Sequence, residues 1–167
     1  MTWRSGTTEI SDKLLGSLPY LLPLFDAVVV GGALFKLIAN FPVLAPMGQV
    51  LLLLVTPVMF AYSLVPFGLG SLAVFFALFL LVVRNENISR FIRFNTLQAI
   101  LIGFIISIGN LLLSLLTVPG LDLITDTFYN VLLFGGVAVV GYSIVQCLMG
   151  RYSEIPTISE AVHMQIR

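Results

Sequence analysis

Few side chains in this 167-residue sequence could take part in chemistry. There is one histidine, His163, near the C-terminus, and one cysteine, Cys147, in an apolar run with no histidine or carboxylate beside it. No spacing typical of metal ligands, no glycine pattern typical of a nucleotide site and no pair of carboxylates within an apolar run is present. We therefore expect a protein that is not an enzyme and that has no catalytic residues, cofactor or metal.

Two isolated charges are the first candidates for function. Asp26 and Lys36 lie in an otherwise apolar stretch, residues 14–40. Charges within membrane segments are rare and often functional. The two residues would lie about 15 Å apart along a helix, too far to pair with each other. They are intramembrane charge candidates, although a segment lying at the membrane surface would leave both in water without any special role.

A stripe of small and polar residues is the second candidate. Its members recur at spacings of three and four, which places them on one face of a helix: Thr96, Ala99, Gly103, Ser107, Asn110, Ser114 and Thr117. Small residues let helices approach closely in lipid, and Ser or Asn side chains can hydrogen-bond between them. The preferred interpretation is a helix-packing seam. The functional alternative is a polar cavity or substrate path, with Thr96, Gly103, Ser107, Asn110 and Ser114 as its candidate residues.

The composition indicates that membrane helices position these residues. Hydrophobic residues make up 59% of the chain and charged residues 10%, whereas soluble domains carry about 25% charged residues. Alternating strands of about ten residues, typical of a membrane barrel, are missing from the sequence. We predict an all-α, polytopic integral membrane protein. The net charge of zero gives no indication of a nucleic-acid partner.

Charge-free runs set the predicted boundaries within a single membrane domain, 1–167. The run 37–83 has 47 residues without a charge, enough for two crossings of about 20 residues each. The predicted segments are a cytoplasmic start (1–13), a Pro-broken apolar segment (14–40), an apolar hairpin (43–65 and 67–83), a cytoplasmic basic loop (84–93), a span (94–117), an acidic connection (118–127), a second span (127–149) and a cytoplasmic tail (150–167).

Basic residues predict the orientation. Arg84, Arg90 and Arg93 should lie on the cytoplasmic side as topology and headgroup anchors, together with the basic residues at both ends of the chain. An even number of crossings must then precede Arg84. We therefore predict a four-helix transmembrane bundle plus one interfacial or re-entrant segment, which is either the Pro-broken 14–40 or a piece of 43–83.

The C-terminal tail has the pattern of a short amphipathic helix. Thr157 and Glu160 have the spacing of a capping box, and Ile158, Val162 and Ile166 follow at i, i+4 and i+8. The pattern predicts a helix that returns to the membrane surface.

Four segments resemble one known family. They are LPYLLPLFD (18–26), FFALFLLVVRN (75–85), ISRFIRFNTLQA (88–99) and PTISEAV (156–162) followed by Gln165. They are similar to the twenty-kilodalton subunit of the translocon at the inner envelope membrane of chloroplasts and to its cyanobacterial homologues. The resemblance implies four membrane helices, both termini cytoplasmic or stromal, and work with other translocon subunits on a preprotein-conducting channel. It implies no functional residues.

The resemblance also implies where the protein acts and what it contacts. Without a transit peptide, we expect a cyanobacterial plasma membrane or a plastid inner envelope. The leading hypothesis is a translocon-type subunit that forms or scaffolds a protein-conducting path. Its expected partners are the lipid bilayer, further copies or other translocon subunits, and translocating polypeptides. The alternatives are a small-solute or ion permease using Asp26 and Asn110, and a structural membrane scaffold.

Overall fold

The computed structural model describes residues 9–32, 34–35, 45–115 and 122–166, together with residues 41, 43 and 120. Its described elements are helical: α1 (Ile10–Ser17), a 3-10 turn (Leu18–Tyr20), α2 (Leu21–Val30), α3 (Ala45–Ser63), α4 (Gly70–Leu78) with a π-helical turn (Phe79–Val83), α5 (Arg90–Leu115), α6 (Asp122–Leu148) and α7 (Ile158–Gln165). The described part of the chain contains no strand, and the predicted all-α class is confirmed.

Among the described residues, four helical segments are long and apolar enough to cross a membrane: Ile10–Val30, Ala45–Ser63, Arg90–Leu115 and Asp122–Leu148. This confirms a polytopic membrane bundle. Ile10–Val30 reaches spanning length, whereas Gly70–Val83, which lies within the predicted hairpin, is shorter. Pro19 and Pro23 each lie in the first turn of their helical element, where a missing amide hydrogen leaves no bond unmade.

Two helix boundaries also differ from the predicted segments. The fifth helix begins at Arg90, so Arg90 and Arg93 lie in its first turn rather than in a loop. Ser89 Oγ accepts a hydrogen bond from the Ile92 amide at 3.4 Å, as expected of a residue that caps a helix. At the other end of the bundle, α6 begins at Asp122, within the predicted acidic connection.

The N-terminal helices form the centre of the bundle. Helix α2 packs against α3, α5 and α6. Small residues permit close approaches between helices: a Cβ added at Gly136 would lie 2.8 Å from the Ala27 Cβ, and one at Gly16 would lie 3.1 Å from Cys147 Sγ. Close backbone packing of this kind compensates for the weak hydrophobic force between helices in lipid.

Large apolar side chains cover the outside of the bundle. On α3, α5 and α6 they include Leu53, which is 74% exposed, Ile105 and Val131. A soluble monomer rarely exposes so much apolar surface. Contact with lipid accounts for it.

The tail folds back onto the start of α5. Helix α7 is the predicted C-terminal helix, and its Val162 and the following residue Ile166 are buried with Phe94 and Leu97. The capping box does not form, since Thr157 has a φ of +70° and makes no side-chain cap bond. Ser159 Oγ instead accepts a hydrogen bond from the Ile155 amide at 2.7 Å.

Candidate functional site

A cavity of about 340 Å³ lies among α2, α3, α4 and α5, and we call it the Asp26 cavity. Its polar lining consists of Asp26, Tyr62, Ser71 and Ser107, and Gly103 lies in its wall. The remaining lining is apolar, with Leu22, Leu72, Phe75, Ala99, Ile100 and Phe104. A carboxylate and three hydroxyl groups in such a recess can accept hydrogen bonds from N–H donors or bind a cation.

The absence of a side chain at Gly103 makes room for the carboxylate. A Cβ added there would lie 3.2 Å from Asp26 Oδ2. Tyr62 is held by Phe25, whose ring meets it edge-on with centroids 5.2 Å apart. Within the described part of the chain, Asp26 has no ion-pair or hydrogen-bond partner. A half-buried carboxylate without a partner favours a ligand that brings its own donor or positive charge.

The predicted stripe divides into three parts. Gly103 and Ser107 lie at the Asp26 cavity, where Gly103 is buried and Ser107 is exposed. Thr96 is buried beside a separate apolar groove, and its hydroxyl makes no hydrogen bond to the described residues. Asn110 and Ser114 are exposed on the outer part of α5, where Ser114 Oγ donates to the Leu111 carbonyl of its own helix. The structure therefore brings Asp26, Gly103 and Ser107 together, with Ala99 in the same lining, and separates them from Thr96, Asn110 and Ser114. Thr117 lies outside the described residues.

Lys36, the second intramembrane charge, lies outside the described residues. In the described part of the chain, no group of three or more His, Cys, Asp or Glu side chains is arranged to hold a metal ion.

A second polar site, which the sequence interpretation missed, lies near the Arg90 end of α5. We call it the Tyr20 network. Tyr20 Oη lies 3.0 Å from Asn95 Oδ1, 3.3 Å from Gln98 Oε1 and 3.2 Å from Ser153 Oγ. All four side chains are completely buried. Since the tyrosine hydroxyl carries one proton, it can donate to one of these oxygens at a time.

The rest of the Tyr20 network ties the tail to α5. Ser153 Oγ donates to Gln98 Oε1 at 2.9 Å, and Gln98 Nε2 donates to the Ser153 carbonyl at 2.9 Å. Ser159 Oγ donates to the same carbonyl at 3.0 Å. Asn95 Nδ2 donates to the Phe91 carbonyl at 2.8 Å. The network therefore joins the 3-10 turn, α5 and the segment before α7.

The sequence indicates only part of the Tyr20 network. Asn95 and Gln98 are amides three residues apart, hence on one helix face, in a largely apolar run without charges. Two amides in such a run need partners. The partner Ser153 lies 55 residues beyond Gln98, so local spacing could not identify it.

Two of the predicted anchor arginines bond the ends of other helices. Arg93 Nε donates to the Val83 carbonyl at 2.8 Å, and Arg90 Nη2 donates to the Ile166 carbonyl at 3.4 Å. Both carbonyls lie at helix ends, where no intrahelical donor is left. Arg84 is exposed.

Comparison with known proteins is consistent with this architecture. A family model described as "Chloroplast import apparatus Tic20-like" matches residues 9–162. A Tic20 family protein of Synechocystis is 42% identical over 165 residues, covering 98% of each chain.

More distant relatives come from plastid-bearing organisms. The Tic20 family protein Ycf60 of Porphyra purpurea is 32% identical, covering 95% of this chain and 77% of its own. The Arabidopsis thaliana protein TIC 20-v, chloroplastic, is 29% identical, covering 96% of this chain and 73% of its own. With most of its length matched by the family model and a relative 42% identical from end to end, this chain belongs to the Tic20 family.

Proposed function

We propose that this integral membrane protein is a non-enzymatic, translocon-type subunit that forms or scaffolds part of a protein-conducting path. The membrane is a cyanobacterial plasma membrane or a plastid inner envelope. The family match supports the general role, since the matching family is described as import apparatus. The observation that carries the assignment of a path is the Asp26 cavity, an open recess of the bundle lined by three hydroxyl groups and by a carboxylate that has no partner among the described residues.

The size of the cavity determines how the subunit would work. A volume of about 340 Å³ is near the lower limit of small-ligand pockets, which hold roughly 300–1,000 Å³. One chain therefore cannot enclose an extended polypeptide. We propose that the path lies between copies of this chain or between it and other translocon subunits, with the Asp26 cavity in its wall.

The proposed topology has four crossings, 10–30, 45–63, 90–115 and 122–148, with 70–83 re-entrant or interfacial. Two crossings then precede Arg84, as the distribution of basic residues requires. Both termini lie on the cytoplasmic or stromal side. The lengths of the helices support this assignment.

Side-specific cysteine labelling tests the topology in a Cys147→Ser background. Single cysteines at Ser11, Gly68 and Asn87 should be labelled from one side and a cysteine at Asp122 from the other. Labelling of Gly68 and Asn87 from opposite sides would show that 70–83 crosses the membrane.

Photo-crosslinking tests the path. A crosslinker replacing Ser107 should react with a polypeptide arrested during translocation, whereas one at Val131, on the exposed apolar face of α6, should react with lipid. Equal polypeptide yields at both positions, or none at Ser107, would contradict the proposal. The latter result would leave the structural scaffold as the better interpretation.

A small-solute or ion permease is the second candidate. It is favoured by the size of the Asp26 cavity and by the lack of a described partner for its carboxylate. Asn110, which that hypothesis also used, is exposed and is not among the residues that line the cavity. The test is ion flux in proteoliposomes, with Asp126→Asn at an exposed position of α6 as the control for Asp26→Asn. The permease would be favoured if Asp26→Asn abolished flux, Asp126→Asn left it unchanged and Ser107 failed to crosslink a polypeptide.

A further inference from the structure

A second polar pocket, of about 320 Å³, lies at the junction of three elements. Phe79 and Val83 of the π-helical turn form its apolar side. Its polar side consists of Arg84 and Glu86, which precede α5, Arg93 of α5 and Gln165 of α7. We call it the Arg84 pocket. It is separate from the Asp26 cavity and from the Tyr20 network, with which it shares no lining residue.

Hydrogen-bond donors in this pocket are available to a ligand. Arg93 is fixed by its Nε bond to the Val83 carbonyl at 2.8 Å, and its two Nη groups have no acceptor among the described residues. The Arg84 guanidinium makes no ion pair or hydrogen bond to any described residue, and neither does the Glu86 carboxylate. Guanidinium groups bind phosphate oxygens through paired N–H donors.

The surroundings of the pocket are those of a membrane boundary. The π-helical turn that supplies its apolar side also exposes Leu80 and Leu81, and the charged residues begin directly after it at Arg84. A ligand that fills the pocket must therefore combine an anionic group with an apolar portion. Basic pockets between transmembrane helices bind lipid headgroups in this way.

The charges of the lining residues narrow the class of ligand. Two arginines and one glutamate leave the pocket with a formal charge of +1, which matches a phosphodiester with one negative charge better than a doubly charged phosphate. The Glu86 carboxylate can also accept a hydrogen bond from a headgroup hydroxyl. We propose that the Arg84 pocket binds the phosphodiester headgroup of an anionic phospholipid, with its phosphate between Arg84 and Arg93.

The test uses the full chain purified in a nonionic detergent. Phosphatidylglycerol is titrated into the micelles, and bound lipid is counted by native mass spectrometry while the unfolding temperature is recorded. We expect saturable binding of phosphatidylglycerol with a rise in unfolding temperature, and a much smaller effect of phosphatidylcholine. Equal effects of the two lipids would overturn the proposal.

Three variants locate the site. Arg84→Gln should weaken binding of phosphatidylglycerol roughly fivefold, as expected for about 1 kcal/mol per basic residue near an anionic surface. Arg151→Gln removes the same charge outside the pocket and should change the affinity less than about twofold, since only diffuse attraction is lost. Glu86→Gln should tighten binding, because it removes a negative charge that repels the phosphate while the amide oxygen can still accept a hydrogen bond from the headgroup hydroxyl. Equal losses in the two arginine variants would show nonspecific attraction and refute a defined site.

Inorganic phosphate distinguishes a free anion from a lipid. At the same phosphate concentration it should leave the unfolding temperature unchanged, since it has no apolar portion to contact Phe79 and Val83. A rise equal to that with phosphatidylglycerol would assign the pocket to a free anion and overturn the lipid proposal.

Discussion

The Tyr20 network allows a single hydroxyl to be removed with a calculable consequence. Tyr20→Phe keeps the buried ring and deletes the atom that lies within 3.3 Å of Asn95, Gln98 and Ser153. Gln98 Oε1 keeps its bond from Ser153 Oγ. Asn95 Oδ1 keeps no partner among the described residues, because the hydrogen bond that it accepts comes from the Tyr20 hydroxyl.

The expected loss of stability follows from that orphaned oxygen. A buried acceptor left without a donor costs about 1–3 kcal/mol, whereas hydrogen bonds between membrane helices average about 0.6 kcal/mol and reach about 1.7 kcal/mol. We therefore expect Tyr20→Phe to lower the free energy of unfolding by about 1–2 kcal/mol. For a chain of this length the unfolding temperature should fall by about 2–4 °C per kcal/mol.

The assay is thermal unfolding in detergent, followed by circular dichroism. Tyr142→Phe is the matched control, since Tyr142 is exposed and its hydroxyl donates to no described group. Limited proteolysis of residues 149–157 gives a second readout, because the network holds this segment on α5. Tyr20→Phe should increase cleavage there, and Tyr142→Phe should not.

The double variant Tyr20→Phe with Ser153→Ala completes the design. If both hydroxyl groups belong to one network, the double variant should lose less stability than the sum of the two single changes. Additive losses, or a Tyr20→Phe protein as stable and as protease-resistant as Tyr142→Phe, would refute the energetic role of the network.

Two further predictions concern backbone positions. Gly136→Ala should lower stability by about 1–3 kcal/mol through overpacking against Ala27. A Cβ added at Gly135 would have no neighbour within 4 Å, so Gly135→Ala should be neutral or stabilising in the same unfolding assay. Equal effects of the two changes would contradict the close helix contact. Gly150→Ala should lower stability by about 1 kcal/mol because φ is +75°, whereas Gly141→Ala in the middle of α6 should not, and equal unfolding temperatures would rule out strain at Gly150.

The class of this protein could be read from local properties of the sequence. Hydropathy and segment length depend on residues close together in the chain, so an all-α bundle with four spanning helices followed from composition and charge alone. It was harder to predict which apolar segment is too short to cross the membrane. Prolines suggested 14–40, but proline interrupts a helix only where its missing amide is needed, and Pro19 and Pro23 lie in first turns.

The Asp26 cavity was only partly accessible to that reasoning. Asp26, Gly103 and Ser107 were each singled out by type or spacing, but their contact depends on how α2 and α5 pack. Ser107, Asn110 and Ser114 are all exposed, and of these three only Ser107 lines the cavity, although helical periodicity placed them on one face with Gly103. Periodicity assigns residues to a face of a helix and contains no information about how far along that face the neighbouring helix remains in contact.

Tertiary structure alone decided the long-range polar contacts. Tyr20, Asn95 and Ser153 come from three segments separated by more than fifty residues, and nothing local relates them. The types of these residues required only that their polar groups, once buried, find hydrogen-bond partners. Which partners they find depends on the tail folding back onto α5, where burial of Val162 and Ile166 with Phe94 stabilises the docked helix and so brings Ser153 to Gln98.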